Sequence, residues 1–108
     1  MSSSDVLEVV DCIIERGGDS GDVLQATVTA IVDRGGAKWA AVLLNDEGEL
    51  VVGPHAGVAE PGERRTATIV HENARLGELA VDGLDDQSLI ELVASLIAPH
   101  CDYLEEVP

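Results

Sequence analysis

A chain of 108 residues with 6 Lys+Arg against 21 Asp+Glu has a formal charge of -15, and a field of that sign repels phosphodiester backbones and anionic headgroups. Nucleic acid and membrane surfaces are therefore not expected partners, and one Trp, one Tyr and no Phe leave few aromatic platforms for single-strand binding. Hydrophobic residues make up 45% of the chain, enough for one globular core of Val, Leu, Ile and Ala, and the length suits one domain rather than two.

The opening MSSSDVLEVVDC lacks a basic n-region, and Asp5, Glu8 and Asp11 interrupt its apolar residues, so it does not read as a signal peptide. No uncharged apolar run is long enough to span a bilayer. Cys12 and Cys101 stand near opposite ends with no CxxC pair, which fits neither a disulfide scaffold nor a zinc ribbon. A reduced, cytoplasmic protein is expected. Lys38 is the single Lys beside five Arg, and with the acidic excess this composition resembles that of proteins adapted to high salt.

From Asp5 to Arg16, Val6, Val9, Val10 and Ile13 follow the spacing of one helix face, and Leu7 and Ile14 widen the stripe. The glycines of GGDSGD suit the left-handed close of that helix. A second helix is expected from about Asp22 to Arg34, with Leu24, Val28, Ile31 and Val32 inward. Its ending, IVDRGG, echoes the earlier IIERGG, which reads as shared helix-ending chemistry rather than a stacked repeat. KWAAVLLNDEGELVVG then reads as a hairpin turning through Asn45, Asp46, Glu47 and Gly48, with Gly48 at positive φ. The continuous apolar run Ala40 to Leu44 predicts a strand covered on both faces or nearly so. Pro54 to Glu63, PHAGVAEPGE, is expected as the one long irregular segment.

A second hairpin pairs Arg64 to His71 with Arg75 to Val81 about Glu72 and Asn73. Its parity stays open. A two-residue turn sets Ile69 opposite Leu76, whereas a three-residue turn sets Ile69 and Ala67 with Leu79 and Val81. The faces of His71 and Glu78 are open with it. Asp85 is placed to cap a last helix ending near Ala98, with Leu84 and Leu89 as a hydrophobic staple. Its expected buried stripe is Leu89, Leu92, Val93, Leu96 and Ile97, and Pro99 disfavours continuation. The chain thus divides into a helical part (5–34), a sheet (38–82) and a closing helix (85–98): an α+β domain, an antiparallel sheet of about four strands from two hairpins packed on N-terminal and C-terminal helices.

That order, and three stretches within it, resembles the GAF family of small-molecule sensors. VLQATVTAIVDRGGAKWAAVLLNDEGELVVG is similar to the family's helix leading into its first two strands. TATIVHENARLGELAVDG is similar to its last two, where a turn and an Arg precede a strand containing Leu-Gly, here Leu76 and Gly77. DDQSLIELVASLIA is similar to the closing helix. The resemblance covers about Asp22 to Ala98. Full members place an extra strand and short helices between the second and penultimate strands, closing over a ligand. Here that interval is only Pro54 to Glu63, so the resemblance is to a truncated module. Neither Cys12 nor Cys101 corresponds to the reactive cysteines that free methionine sulfoxide reductases of this family keep in and around that interval. What the resemblance implies is a regulatory module binding a small ligand or a protein partner; the alternative is a non-ligand-binding dimerisation protein of roadblock or longin type.

Residue chemistry adds a few candidates. HENAR lacks the second His of a zinc helix, because position 75 is Arg. Asp82, Asp85 and Asp86 form an acidic cluster whose spacing does not match a calcium loop. Capping explains Asp85 more simply. No nucleophile with a base and orienting group stands out, so an enzyme is not expected, nor is a cofactor or a metal. Half of the positive charges, Arg64, Arg65 and Arg75, fall on one hairpin. They are placed either to flank a small anionic ligand or to offset neighbouring carboxylates such as Glu60, Glu63, Glu72 and Glu78. His55, Arg65, His71 and Arg75 are thus the candidate ligand-binding residues, around a reduced pocket on the sheet face opposite the helices. The wide stripe of the first helix further predicts a homodimer through the first and last helices.

Overall fold

The structure, a computed structural model, describes residues 3–46 and 48–106, with the side chains of 3, 4, 46 and 102–106 outside that description. Glu47, expected in the first turn, also lies outside the described residues. Helices α1 (Ser3–Arg16) and α2 (Ser20–Gly35) precede strands β1 (Trp39–Asp46) and β2 (Glu49–Gly57). A short 3-10 turn, Pro61–Glu63, leads to β3 (Arg64–His71), β4 (Ala74–Asp82) and the long α3 (Gln87–Glu106). The sheet is antiparallel in the order β2-β1-β4-β3. α2 lies over β1 and β2, α3 over β3 and β4, and α1 packs on α2 and the flank of α3 rather than on the sheet.

Local chemistry accounts for most boundaries. Gly17 and Gly18, with φ of 74 and 115, close α1 in the conformation that glycine adopts without steric cost. Gly36 closes α2 with φ 78 and donates its N–H to Ile31 O. Val6 and Val10 of α1 are buried, with Leu7 and Ile14 partly so, in one core shared with Leu24, Val28 and Ile31 of α2 and Val42, Ile69 and Leu79 of the sheet, while Ile13 packs with Val23 and Ala30 of α2 in a second cluster. β1 is central, and Trp39 to Val42 are buried on both faces.

The second hairpin resolves its parity in an unforeseen way. The turn has two residues, Glu72 and Asn73, both left-handed with φ 52 and 66, the geometry of a type I′ turn. Yet Ile69 pairs with Gly77 while Val70 pairs with Arg75, which leaves Leu76 as the extra residue of a β-bulge. The bulge turns both Leu76 and Leu79 to the core and sets Ala67 beside Leu79, the arrangement expected of a three-residue turn. Glu78, opposite Leu43 and Thr68, is on the face away from the helices, and alternation from Ile69 puts His71 on the helix side.

Four expectations are corrected. Pro54 to Gly57 is strand, not loop, because β2 is an edge strand and the missing Pro54 N–H costs no central ladder bond. α3 runs through Pro99 to Glu106. Pro99 and Ser95 are both on the exposed side, where water reaches the carbonyl one turn back that Pro99 leaves without a donor. The cap of α3 is Asp86, whose Oδ1 accepts the Leu89 N–H at 3.1 Å, and Asp85 pairs with Arg65 instead. Packed on β3, β4 and α2, α3 turns Leu89, Ile90, Val93, Ala94, Ile97 and Ala98 inward, leaving Leu92 at 52% and Leu96 at 36% exposure.

Candidate functional site

Strand alternation gives the sheet two unlike faces. The helix side is the core. Three cross-strand rows build the outer side: Gly57–Trp39–Asp82–Arg64 at one end, His55–Ala41–Ala80–Thr66 in the middle, and Val52–Leu43–Glu78–Thr68 towards the hairpin turns. Ala41 and Ala80 are small and fully buried in a cluster with Trp39 and Leu43. Along both edge strands the face is open, with His55, Thr66, Thr68 and Val70 exposed and Val52 at 55%.

The first row holds a buried ion pair. Asp82 has no exposed side-chain surface. Its Oδ1 accepts Arg64 Nε–H at 2.8 Å, and its Oδ2 accepts Arg64 Nη2–H at 3.0 Å and the backbone N–H of Glu60 at 2.7 Å. Arg64 also lies over the Trp39 ring, 4.5 Å from its centroid, which favours a guanidinium both as a flat surface and as a cation. Hydrogen bonding from Arg64 holds the Asp82 carboxyl below its ordinary value despite the opposing effect of burial, and the Glu60 N–H adds to the lowering. The same contact raises Arg64.

These contacts fasten the segment 58–63, which carries the chain from one edge of the sheet to the other. Val58 N–H donates to Lys38 O at 2.8 Å, Gly83 N–H donates to Glu63 O at 3.2 Å, and Lys38 pairs with Glu63, which raises the Lys38 pKa. Gly57 is obligatory at the start of this crossing, since its φ is 87 and a Cβ there would lie 2.2 Å from Lys38 O. A polar cleft of about 530 Å³ opens beneath the strap, between Gly62–Arg65 and Gly83–Asp85.

The four candidate residues do not converge. His55 and Arg75 belong to the outer face, one on β2 and the other at the turn end of β4, where Arg75 Nη2 bonds Glu78 at 2.6 Å. Arg65 has the opposite parity and pairs with Asp85 at the polar cleft. His71 is half-buried on the helix side, near the turn. All three hairpin arginines thus have a carboxylate of this chain as partner: Asp82, Asp85 and Glu78. Among the described residues, no group of three or more His, Cys, Asp or Glu is arranged to hold a metal ion. Trp39, Arg64 and Asp82 escaped the sequence reading as a unit. The signal present was the lone Trp and an Asp on the same strand parity as Glu78 and Ala80, but neither predicts burial.

No family model matches the chain, and no curated protein matches it in sequence. Solved structures do match in shape. The GAF domain of an Acinetobacter phosphoenolpyruvate-protein phosphotransferase aligns with TM-score 0.75 at 11% identity, over 97% of this chain and 95% of that one. The corresponding domain from Coxiella burnetii aligns with TM-score 0.76 at 10% identity, over 97% of each. A free methionine-R-sulfoxide reductase from Neisseria meningitidis, solved in complex with its substrate, aligns with TM-score 0.73 at 12% identity, over 96% of this chain and 90% of that one. The fold is therefore GAF-like, with three α-helices and a four-stranded antiparallel sheet among the described residues. Among the described residues, no helix is long and apolar enough to cross a membrane.

Proposed function

We propose that this chain is a regulatory binding module that works through the outer face of its sheet and performs no chemistry on what it binds. The observation that carries this reading is the apolar strip left open along the β2 edge of the outer face. Leu43, Val52 and Leu50 form an apolar strip on its β1–β2 side, with Leu50 at 44% exposure and His55 one row away. An apolar strip open to water gains free energy when a partner covers it. Arg64, Asp82 and Trp39 lock the strap at the far end, so the surface is preformed. His55 and Arg75 supply polar contacts at its margins. An open face favours a protein segment over a small metabolite, which binds best where walls enclose it.

Two features support binding rather than catalysis. Cys12 is exposed on α1 and Cys101 is buried in α3, so neither thiol is on this face. The likeness to GAF domains of phosphotransferases favours a regulatory role, although the reductase neighbour shows that the same fold also serves an enzyme.

Amide NMR mapping during a screen of metabolites and peptides tests the proposal. Perturbed signals should gather at Leu43, Val52, His55, Thr66 and Arg75, and Val52→Asp should abolish them. Shifts gathered instead at the cleft under the strap, or along α1, would move the site away from this face.

A further inference from the structure

The exposed part of β2 has a property separate from ligand binding: it is complementary to itself. Leu50, Val51 and Val52 are consecutive, and their exposures are 44%, 48% and 55%. Leu50 and Val52 are on the outer face and Val51 on the helix face, so an edge strand is apolar on both sides. Sheet edges of soluble proteins are ordinarily guarded. Both edges here carry a guard at the middle row, where Gln25 Nε2 of α2 and Gln87 Nε2 of α3 each donate at 2.9 Å to an edge carbonyl, His55 O and Thr66 O respectively. Beyond His55, Pro54 adds a second guard on β2. Neither reaches Leu50 to Val52.

The backbone at these residues faces outward. Because Val58 N–H donates to Lys38 O, Trp39 and Gly57 form a non-hydrogen-bonded pair. The bulge between Ala41 and Leu43 takes its extra residue from β2, so alternation along β1 makes Leu43–Val52 and Asn45–Leu50 non-hydrogen-bonded too. Leu50 and Val52 therefore direct both N–H and C=O away from β1.

We infer that this stretch pairs with the same stretch of a second copy, antiparallel about a two-fold axis through Val51, joining two four-stranded sheets into one. In that register Leu50 lies opposite the partner's Val52 and exchanges two hydrogen bonds with it, and the symmetry repeats the exchange. Val51 meets the partner's Val51 on the helix side. Glu49 falls opposite the partner's Gly53, so no two carboxylates face each other. That feature matters in a chain of charge -15, where Leu50 to Ala59 has no charged residue. Association through α1 would instead bring the exposed Asp5, Glu8, Asp11 and Glu15 of two copies together.

Sedimentation of the full chain from about 10 to 500 µM, in 0.1 M and 1 M NaCl, should show a concentration-dependent dimer that is stronger at high salt as net repulsion is screened. Val51→Lys and Val51→Glu should each weaken it at least tenfold, and an equimolar mixture of the two should restore it, which also shows that both variants fold. In a Cys12→Ser background, Val51→Cys should cross-link as a disulfide under mild oxidant, and Leu92→Cys should not. A parent that stays monomeric to 500 µM in both salts overturns the inference, as does a dimer that Val51→Lys leaves intact. A mixture that stays monomeric overturns the two-fold register.

Discussion

Asp82 and Arg64 form a two-point ion pair in which the carboxylate is wholly buried and the guanidinium is one-third exposed, lying over Trp39. Removing one member leaves the other without its partner in a partly desolvated site, so Asp82→Asn should cost about 2–3 kcal/mol at pH 7. The pH dependence follows from sign. Asp82 is held below its ordinary value in the folded state, so its contribution is complete above the unfolded value, near ~4, and disappears as pH falls through the lower folded value. Urea midpoints of the parent and of Asp82→Asn should therefore differ at pH 7 and converge in acid, as pH falls through the lowered folded-state value of Asp82. A gap that stays constant would mean the Asn side chain reproduces the bonds that matter.

Gly77 gives a sharper steric test. A Cβ there would lie 1.9 Å from the carbonyl oxygen of Leu43, which is backbone of the central strand and has no room to yield. Gly77→Ala should destabilise by about 3 kcal/mol or more, or prevent folding. Gly62→Ala, with nothing within 4 Å of the added atom, is the control and should stay within about 0.5 kcal/mol of the parent by thermal melting.

The two thiols should separate by accessibility. Cys12 is exposed, whereas Cys101 is on the buried side of α3. A colourless disulfide reagent read by mass should modify one thiol per chain quickly under native conditions, with the second appearing only in denaturant. Rapid modification of both would show that α3 leaves its site readily.

Salt should raise stability. Compact folding holds a charge of -15 within distances at which like charges repel, and unfolding relieves that repulsion. The screening length falls from about 10 Å at 0.1 M to about 3 Å at 1 M, which removes most of the long-range part. The urea midpoint at pH 7 should rise between those NaCl concentrations, and chloride compared with sulfate at matched ionic strength isolates exclusion from apolar surface. An unchanged midpoint would show the carboxylates to be compensated locally, and the high-salt expectation would lapse.

The amino-acid sequence by itself determined the elements and their order. Val6, Val10 and Ile13 at helical spacing, glycines after each of the first two helices, and Glu72-Asn73 between apolar runs are local signals, and local signals survive without knowledge of what packs where. The likeness to GAF domains followed from that order. Partnership did not. Asp82, Asp85 and Asp86 are neighbours in sequence, yet they take three destinations: Arg64 on the outer face, Arg65 across the cleft, and the cap of α3. A strand end, a turn and a helix start point successive side chains in different directions, so only the assembled sheet could assign them. The same holds for the single extra residue at Leu76, which exchanged the two candidate registers, and for Pro54 and Pro99, which were admitted because one is on an edge strand and the other on an exposed helix side. Sequence pattern reports what a segment prefers; the tertiary structure decided which backbone groups had water or an edge to turn to, and therefore which preferences could be overridden.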